Sequence, residues 1–404
     1  MKTVALIACS DTKHAEIIHV SGLMRKWGIK PLILDPSTSP GYVSPYDLGR
    51  EVLVAEVGLH WAELEGKGKH ELLEAVAEGC AAMAVRLYAE GRIQGVFCMG
   101  GLQNTTVGSR AMKRLPIGVP KVIVSTVASG QRTFDLVVGT RDILVMPSIC
   151  DLAGMNAISE NVLANAVAAF SGMLEKAGRE LRPPHILRVA TTLMGATNDG
   201  VDRAAELVRG AGIEVAAFHS TGVGGQVLEE MIDSGVITAA MDLTLHEVVY
   251  EYFGRGFGYG ANNRLKSAAA RGIPMVVTPG GIDFMCQWKH ELFPDIAERK
   301  MIWHNAQLAH VKLNTKEVTD ISRIIVERLN ESTGPVEVVL PFRGLRSFTN
   351  PGEALHDPDL DRLIFSIFEQ ELKKDIPVHY VDATIMDPAY SELAAKTMLR
   401  MLGK

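Results

Sequence analysis

The chain is 404 residues long, 47% of them hydrophobic and 22% charged, with a formal net charge of −6. Such a length suits two or three domains, and the acidic balance argues against a protein that works through a basic surface on nucleic acid. The five cysteines, Cys9, Cys80, Cys98, Cys150 and Cys286, include no CxxC pair, which argues against a disulfide framework or a structural zinc site.

The N-terminus reads MKTVALIACSDTKHAE and turns polar at Ser10, so it lacks the long apolar stretch of a signal peptide. No run is read as reaching the ~18 apolar residues of a membrane span. A cytoplasmic location with no membrane partner is the expectation by elimination. The continuous apolar run over 3–8 predicts a strand covered on both faces, as in a parallel sheet. A helix follows to about Trp27 and stops at Gly28, then a strand over 30–34 ends at Asp35-Pro36. The pattern predicts a helix over 69–90, a strand over 95–99, a helix over 105–114, strands over 121–125 and 143–147, and a helix over 160–177. Residues 178–185, with Pro183-Pro184, read as a linker. The alternation then restarts with strands over 186–191, 214–218, 237–242, 274–277, 310–313 and 336–341, and helices over 200–210 and 226–234. Two Rossmann-like doubly wound α/β domains with mostly parallel sheets are expected, over 1–180 and 181–404.

In such sheets ligands sit outside the carboxyl ends of the strands, so the strand-end turns are the candidates. Gly100-Gly101 follows a strand, and Thr105 and Thr106 come where a helix is expected. This fits a phosphate or carboxylate at a helix start, or a tight turn with a capping threonine. Ser125, Thr126, Ser129 and Gly130 form a second small, hydroxylic turn, with Thr140 and Asp142 close behind. The third turn, His219, Ser220, Thr221, Gly222, Gly224 and Gly225, reads as the strongest anion cradle in the chain. His219 could be an acid or base, a phosphate donor or a packed turn histidine. Asp242 ends a strand, where a carboxylate is a common Mg²⁺ ligand. Thr244 and Glu247 have the spacing of a capping box. Gly280, Gly281 and Asp283 shape a fifth strand-end turn. His304 and Arg343 lie beside strands, and Arg343 could clamp a carboxylate or phosphate.

These residues also carry a resemblance. The opening SDTKHAE, the segments LPIGVPK (115–121), VSTVASG (124–130) and Val138-Gly139-Thr140 with Asp142, and then FHSTG (218–222), Gly224-Gly225, Asp242-Leu243-Thr244, Glu247, His304-Asn305, Arg343-Gly344 and Asp387-Pro388-Ala389 run through the whole chain in order. Together they resemble the family of the N-terminal domain of the tomato mosaic virus resistance protein. Two positions depart from it: His14 stands where a glycine is usual, and Leu102-Gln103-Asn104 replace a Gly-Gly-Ser/Thr-Gly type of turn. The resemblance implies two Rossmann-like subdomains, ATP binding and a homodimer or higher homo-oligomer; the plant relative acts by binding a viral replication protein.

The leading expectation is an ATP-binding protein with Mg²⁺ near an acidic side chain. Its ligand would lie in a composite site at the cleft between the halves, anchored on 219–225 and completed by 125–130. Two alternatives stay open. One is a metabolic enzyme on a small carboxylated or phosphorylated metabolite, with His219, Asp242 and His304 as acid–base groups and Arg343 as the clamp. The other is a non-enzymatic interaction module.

Overall fold

The apolar run after Met1 forms β1 (Lys2–Ile7), whose alternate side chains enter two different cores. Val4 and Leu6 face one side of the sheet, Ala5 and Ile7 the other, which is why the strand reads as uniformly apolar. The computed structural model describes residues 1–128, 137–176 and 188–404. The chain divides into two compact units, Met1–Arg182 and Pro183–Lys404. The residues read as a linker lie outside the described residues.

In the first unit β1 is followed by α1 (Ser10–Lys26), β2 (Ile29–Asp35), β3 (Leu48–Gly49), α2 (Arg50–Ala55), α3 (Trp61–Leu64), α4 (Lys69–Ala89), β4 (Val96–Gly100), α5 (Leu102–Lys113), β5 (Lys121–Ser125), β6 (Leu144–Pro147) and α6 (Ala157–Lys176). The strands pair in parallel in the order β3-β2-β1-β4-β5-β6. The chain steps outward from β1 to β3, then returns past β1 to β4, so the order reverses between β1 and β4. That reversal opens a crevice at the strands' carboxyl ends. Helices α1 and α6 cover one face of the sheet and α4 and α5 the other. By length and composition α6 could cross a membrane, which corrects the expectation that no segment reaches that length. Its Leu163, Val167, Phe170 and Leu174 are instead buried against Phe97, Val122 and their neighbours.

The second unit holds β7 (Arg188–Leu193), α7 (Asn198–Gly210), β8 (Glu214–His219), α8 (Val223–Asp233), β9 (Ala239–Thr244), α9 (His246–Phe253), α10 (Lys266–Arg271) and β10 (Met275–Gly280). It continues through β11 (Phe284–Trp288), β12 (Met301–Trp303), β13 (Leu308–Lys312), α11 (Thr315–Asn330), β14 (Val336–Pro341), α12 (Pro358–Glu371), β15 (Val378–Val381) and α13 (Pro388–Met401). Six strands form a parallel sheet in the order β15-β14-β10-β9-β7-β8, whose order reverses between β7 and β9. Both units are therefore α/β and Rossmann-like. The strand expected over 310–313 is a correction: as β13 it pairs antiparallel with β11 and β12 in a separate three-stranded sheet. Four helices begin earlier than their sequence pattern suggests, at Leu102, Ala157, Asn198 and Val223. For α5 and α8 the reason is local. Gly101 and Gly222 are the N-caps themselves, so residues read as turn already lie in the first helical turn.

Candidate functional site

The order reversal in the first unit coincides with a cavity of about 610 Å³, within the usual range of small-molecule sites. Cys9, Asp11, Thr12 and Lys13 line it from the end of β1, Thr38, Ser39 and Pro40 from the end of β2, and Gly101, Leu102, Gln103 and Asn104 from the end of β4. Thr126, Lys67, Lys69, Leu72 and Asp151 complete the wall.

Besides α4, whose first residue Lys69 is in the wall, two helices start at this cavity, and they differ. The start of α1 is already closed. Its Ser10 N–H donates to Asp35 Oδ1 at 2.9 Å, its Asp11 N–H to Ser37 Oγ at 3.1 Å, and its Thr12 N–H to Cys9 O at 3.3 Å. Asp35 is fully buried and also accepts the hydroxyls of Ser10, Ser37 and Ser44. A carboxylate at the end of a second strand often reads a ribose hydroxyl, but Asp35 is taken. The start of α5, in contrast, borders the cavity. Its first-turn N–H groups have no acceptor within the helix, and the helix dipole puts positive potential there. Asn104 Oδ1 accepts the Cys9 N–H at 3.0 Å, and Gln103 Nε2 donates to Thr38 Oγ1 at 3.2 Å, so this turn is braced from both neighbouring strands. Lys13, Lys67 and Lys69 add positive charge around it. The Cys9 thiol is held well above its usual range by burial and by Asp11 and Asp35, so it stays protonated and is no nucleophile.

The structure separates the residues expected in this half. Gly101 and Thr126 line the cavity, and Gly100 holds the Thr126 N–H at 3.1 Å. Thr105 is a correction. It lies inside α5, buried, with its hydroxyl 2.7 Å from that of Ser125. Both are spent on packing β5 against α5. Thr106 donates back to Leu102 O. Thr140 accepts from Arg141, and Asp142 accepts the Gly118 N–H and the Lys121 ammonium, so Asp142 ties a turn rather than a ligand. Ser129 and Gly130 lie outside the described residues.

The turn 219–225 in the second unit corrects the reading that ranked it first. Its anion is resident. Glu247 Oε1 accepts the N–H groups of Gly222 at 2.7 Å and Gly225 at 2.9 Å. A Cβ on Gly225 would fall 2.0 Å from Glu247 Oε2, so glycine is required by this carboxylate. Glu247 is thus no capping-box partner of Thr244. Arg264, fully buried, holds Glu247 through Nε, Glu229 through Nη1, and both oxygens of Asp242 through Nη2, all at 2.7–2.8 Å. Asp242 is therefore engaged and does not stand free as a Mg²⁺ ligand, which corrects that assignment. Among the described residues no group of three His, Cys, Asp or Glu is placed to hold a metal ion. Ser220 and Thr244 are buried, bonded to Thr244 O and to Thr197 respectively. His219 is exposed and bonds Thr221 at 3.0 Å. A Cβ on Gly224 would meet the His219 carbonyl. Gly280 O accepts the Leu245 N–H, and Gly281 O meets His246 Nδ1 at 2.7 Å. Arg343 grips Asp382 on the surface through two bonds of 2.7 and 3.0 Å, so it is no clamp for a ligand. His304 stacks on His310, with centroids 5.1 Å apart.

Family models match both units. Residues 2–179 fit the N-terminal domain, and residues 187–402 the C-terminal domain, of the uncharacterised protein family UPF0261. The chain belongs to the UPF0261 family. It is 30% identical to a UPF0261 protein of Clostridium tetani over the whole of both chains. It is also 33% identical to the ToMV resistance protein Tm-1(GCR237) of Solanum lycopersicum, over 73% of this chain and 40% of the tomato protein. Among solved structures, MurG of Acinetobacter baumannii aligns over 98% of this chain and 99% of its own, with 10% identity and a TM-score of 0.24; that score carries no argument.

In this UPF0261 chain the residues that sequence reasoning passed over are Asn104, Asp11 and the lysine pair in the first unit, and Arg264 and Arg346 in the second. One signal was present for Asn104, a polar side chain three residues after a glycine pair at a strand end. For Arg264 there was none, because it sits in a stretch without periodicity, just before the short helix α10.

Proposed function

We propose that this protein binds a nucleotide in the first unit, with the phosphates of ATP over the N-terminus of α5. One observation carries the reading: of the three glycine- or polar-rich helix starts weighed as anion sites, α5 borders an open cavity, whereas α1 is closed by Asp35 and Ser37 and α8 by Glu247. Free N–H groups at a helix start suit phosphate oxygens, and Lys13, Lys67 and Lys69 bring further donors and charge. The Mg²⁺ that accompanies ATP would sit by Asp11 and Asp151. Both line the cavity, and Asp11 Oδ1 is buried without a partner among the described residues. Mg²⁺ keeps most of its waters and takes one or two carboxylates, which this pair can supply.

Gly101 offers the test. A Cβ there would meet only Thr126 Oγ1, at 3.6 Å, so a side chain can start at this position, and Gly101→Val adds bulk to the cavity wall. Calorimetric titration of ATP with Mg²⁺ should show binding to the natural chain and at least about tenfold weaker binding to Gly101→Val, a loss of roughly 1.4 kcal/mol. Equal affinity in the two proteins would contradict this placement.

A further inference from the structure

At the carboxyl edge of the second unit's sheet lies a buried charged cluster that the nucleotide reading does not use. Arg346 follows β14 and has no exposed surface. Its Nε–H donates to both oxygens of Asp283, at 2.9 and 3.0 Å, while Nη1 and Nη2 are buried with no acceptor among the described residues. Four N–H donors are thus unmet on a charge that cannot be discharged. A buried donor left unmet is unfavourable, so a group that satisfies these has a strong pull. The surroundings define that group. The guanidinium carbon lies 3.8 Å above the Phe284 ring and 5.9 Å from the Phe348 ring. His310 contacts both rings, and its Nδ1 is also buried without a partner among the described residues. Lys312 donates to Asp283 at 2.9 Å. Two cations therefore share one ionised carboxylate. Asp361, also buried, has an unmet Oδ1, and burial and the nearby Asp283 push its carboxyl up to about 7. In its protonated form it leaves the cluster with one net positive charge.

We infer that the second unit binds a small organic acid whose carboxylate docks on Nη1 and Nη2 of Arg346, beside His310 and between the Phe284 and Phe348 rings. A single negative charge closes the balance, and the guanidinium fork matches a planar carboxylate. A dianionic phosphate would overshoot it. The outer wall is Phe348, half-buried, and His304, exposed and stacked on His310. The site does not depend on the nucleotide reading, since it uses none of the first unit's residues.

The test uses the full chain and simple probes. Its melting temperature is followed in sodium acetate and in sodium benzoate, against sodium chloride at matched ionic strength, with sodium phosphate as a separate arm. A ligand of the native state raises it with the logarithm of concentration. The expected result is such a rise with the carboxylates, at least tenfold right-shifted in Arg346→Lys and unchanged in Arg343→Gln. Hydrogen exchange of the natural chain with acetate should add protection across residues 341–350, a readout that holds even if Arg346→Lys fails to fold. No response to carboxylates, which would mean a water-filled void only, overturns the inference. So does a response to phosphate alone, or protection confined to other segments.

Discussion

At the scale of single residues the account turns on which charges are already spent. Arg264 holds three carboxylates in the interior, and removing one partner of such a cluster leaves charges buried without compensation. Arg264→Met should therefore cost about 3–5 kcal/mol in urea unfolding. Arg343→Met, which breaks an exposed pair with Asp382, should leave the urea midpoint nearly unchanged. Asp361 makes a prediction in pH. Its carboxyl is pushed up to about 7 by burial and Asp283, with Asp357 adding and Lys312 and Arg346 opposing. A raised carboxyl means that the folded state holds its proton longer than the unfolded chain. The stability this brings is complete below about pH 4 and lost as pH rises through 7, at a slope of up to about 1.4 kcal/mol per pH unit. Asp361→Asn should remove that slope, seen as a flatter melting temperature between pH 4 and 7. The chemistry of these residues was only half legible in the sequence. Arg343 and Arg346 stand three apart in one loop, and nothing local says which points out to Asp382 and which in to Asp283. Glu247 looked like a helix cap because Thr244 lies three residues before it; its true partners come from 222, 225 and 264, distances at which spacing carries no signal.

At the scale of elements the sequence was read well where one rule governed. The parallel strands buried on both faces showed themselves as unbroken apolar runs, and β5 and β14 fall on the residues expected. The run at 310–313 obeyed the same rule and misled, because β13 is buried within a small antiparallel sheet. Glycines misled in another way. They mark close approach as often as ligand contact. Gly79 in α4 lies so near α2 that a Cβ would fall 2.1 Å from the Leu53 carbonyl. Gly79→Ala must push the two helices apart and should cost at least about 1–3 kcal/mol. Gly22 in α1 has nothing within 4 Å of its Cβ, so Gly22→Ala should stabilise by up to about 1 kcal/mol through helix propensity. Thermal unfolding of the pair checks both signs. Since α4 carries Lys69 at its start, Gly79→Ala should also weaken nucleotide binding.

At the scale of the whole molecule, each unit reverses its strand order once, and each reversal gathers polar residues at the sheet's carboxyl edge. The two edges have been put to different use. In the second unit the glycine-rich turn is filled from beneath by Glu247 and Arg264, which makes it part of the framework. In the first unit the glycine turn after β4 faces a cavity. The sequence pointed to both edges and ranked them in the opposite order, because a resident carboxylate 22 residues away is invisible in a motif. The most direct test of the ranking is hydrogen exchange of the full chain with and without ATP and Mg²⁺. The account predicts new protection in peptides covering 9–13 and 100–106, at the starts of α1 and α5. Protection confined to 219–226, with 100–106 unchanged, would contradict it.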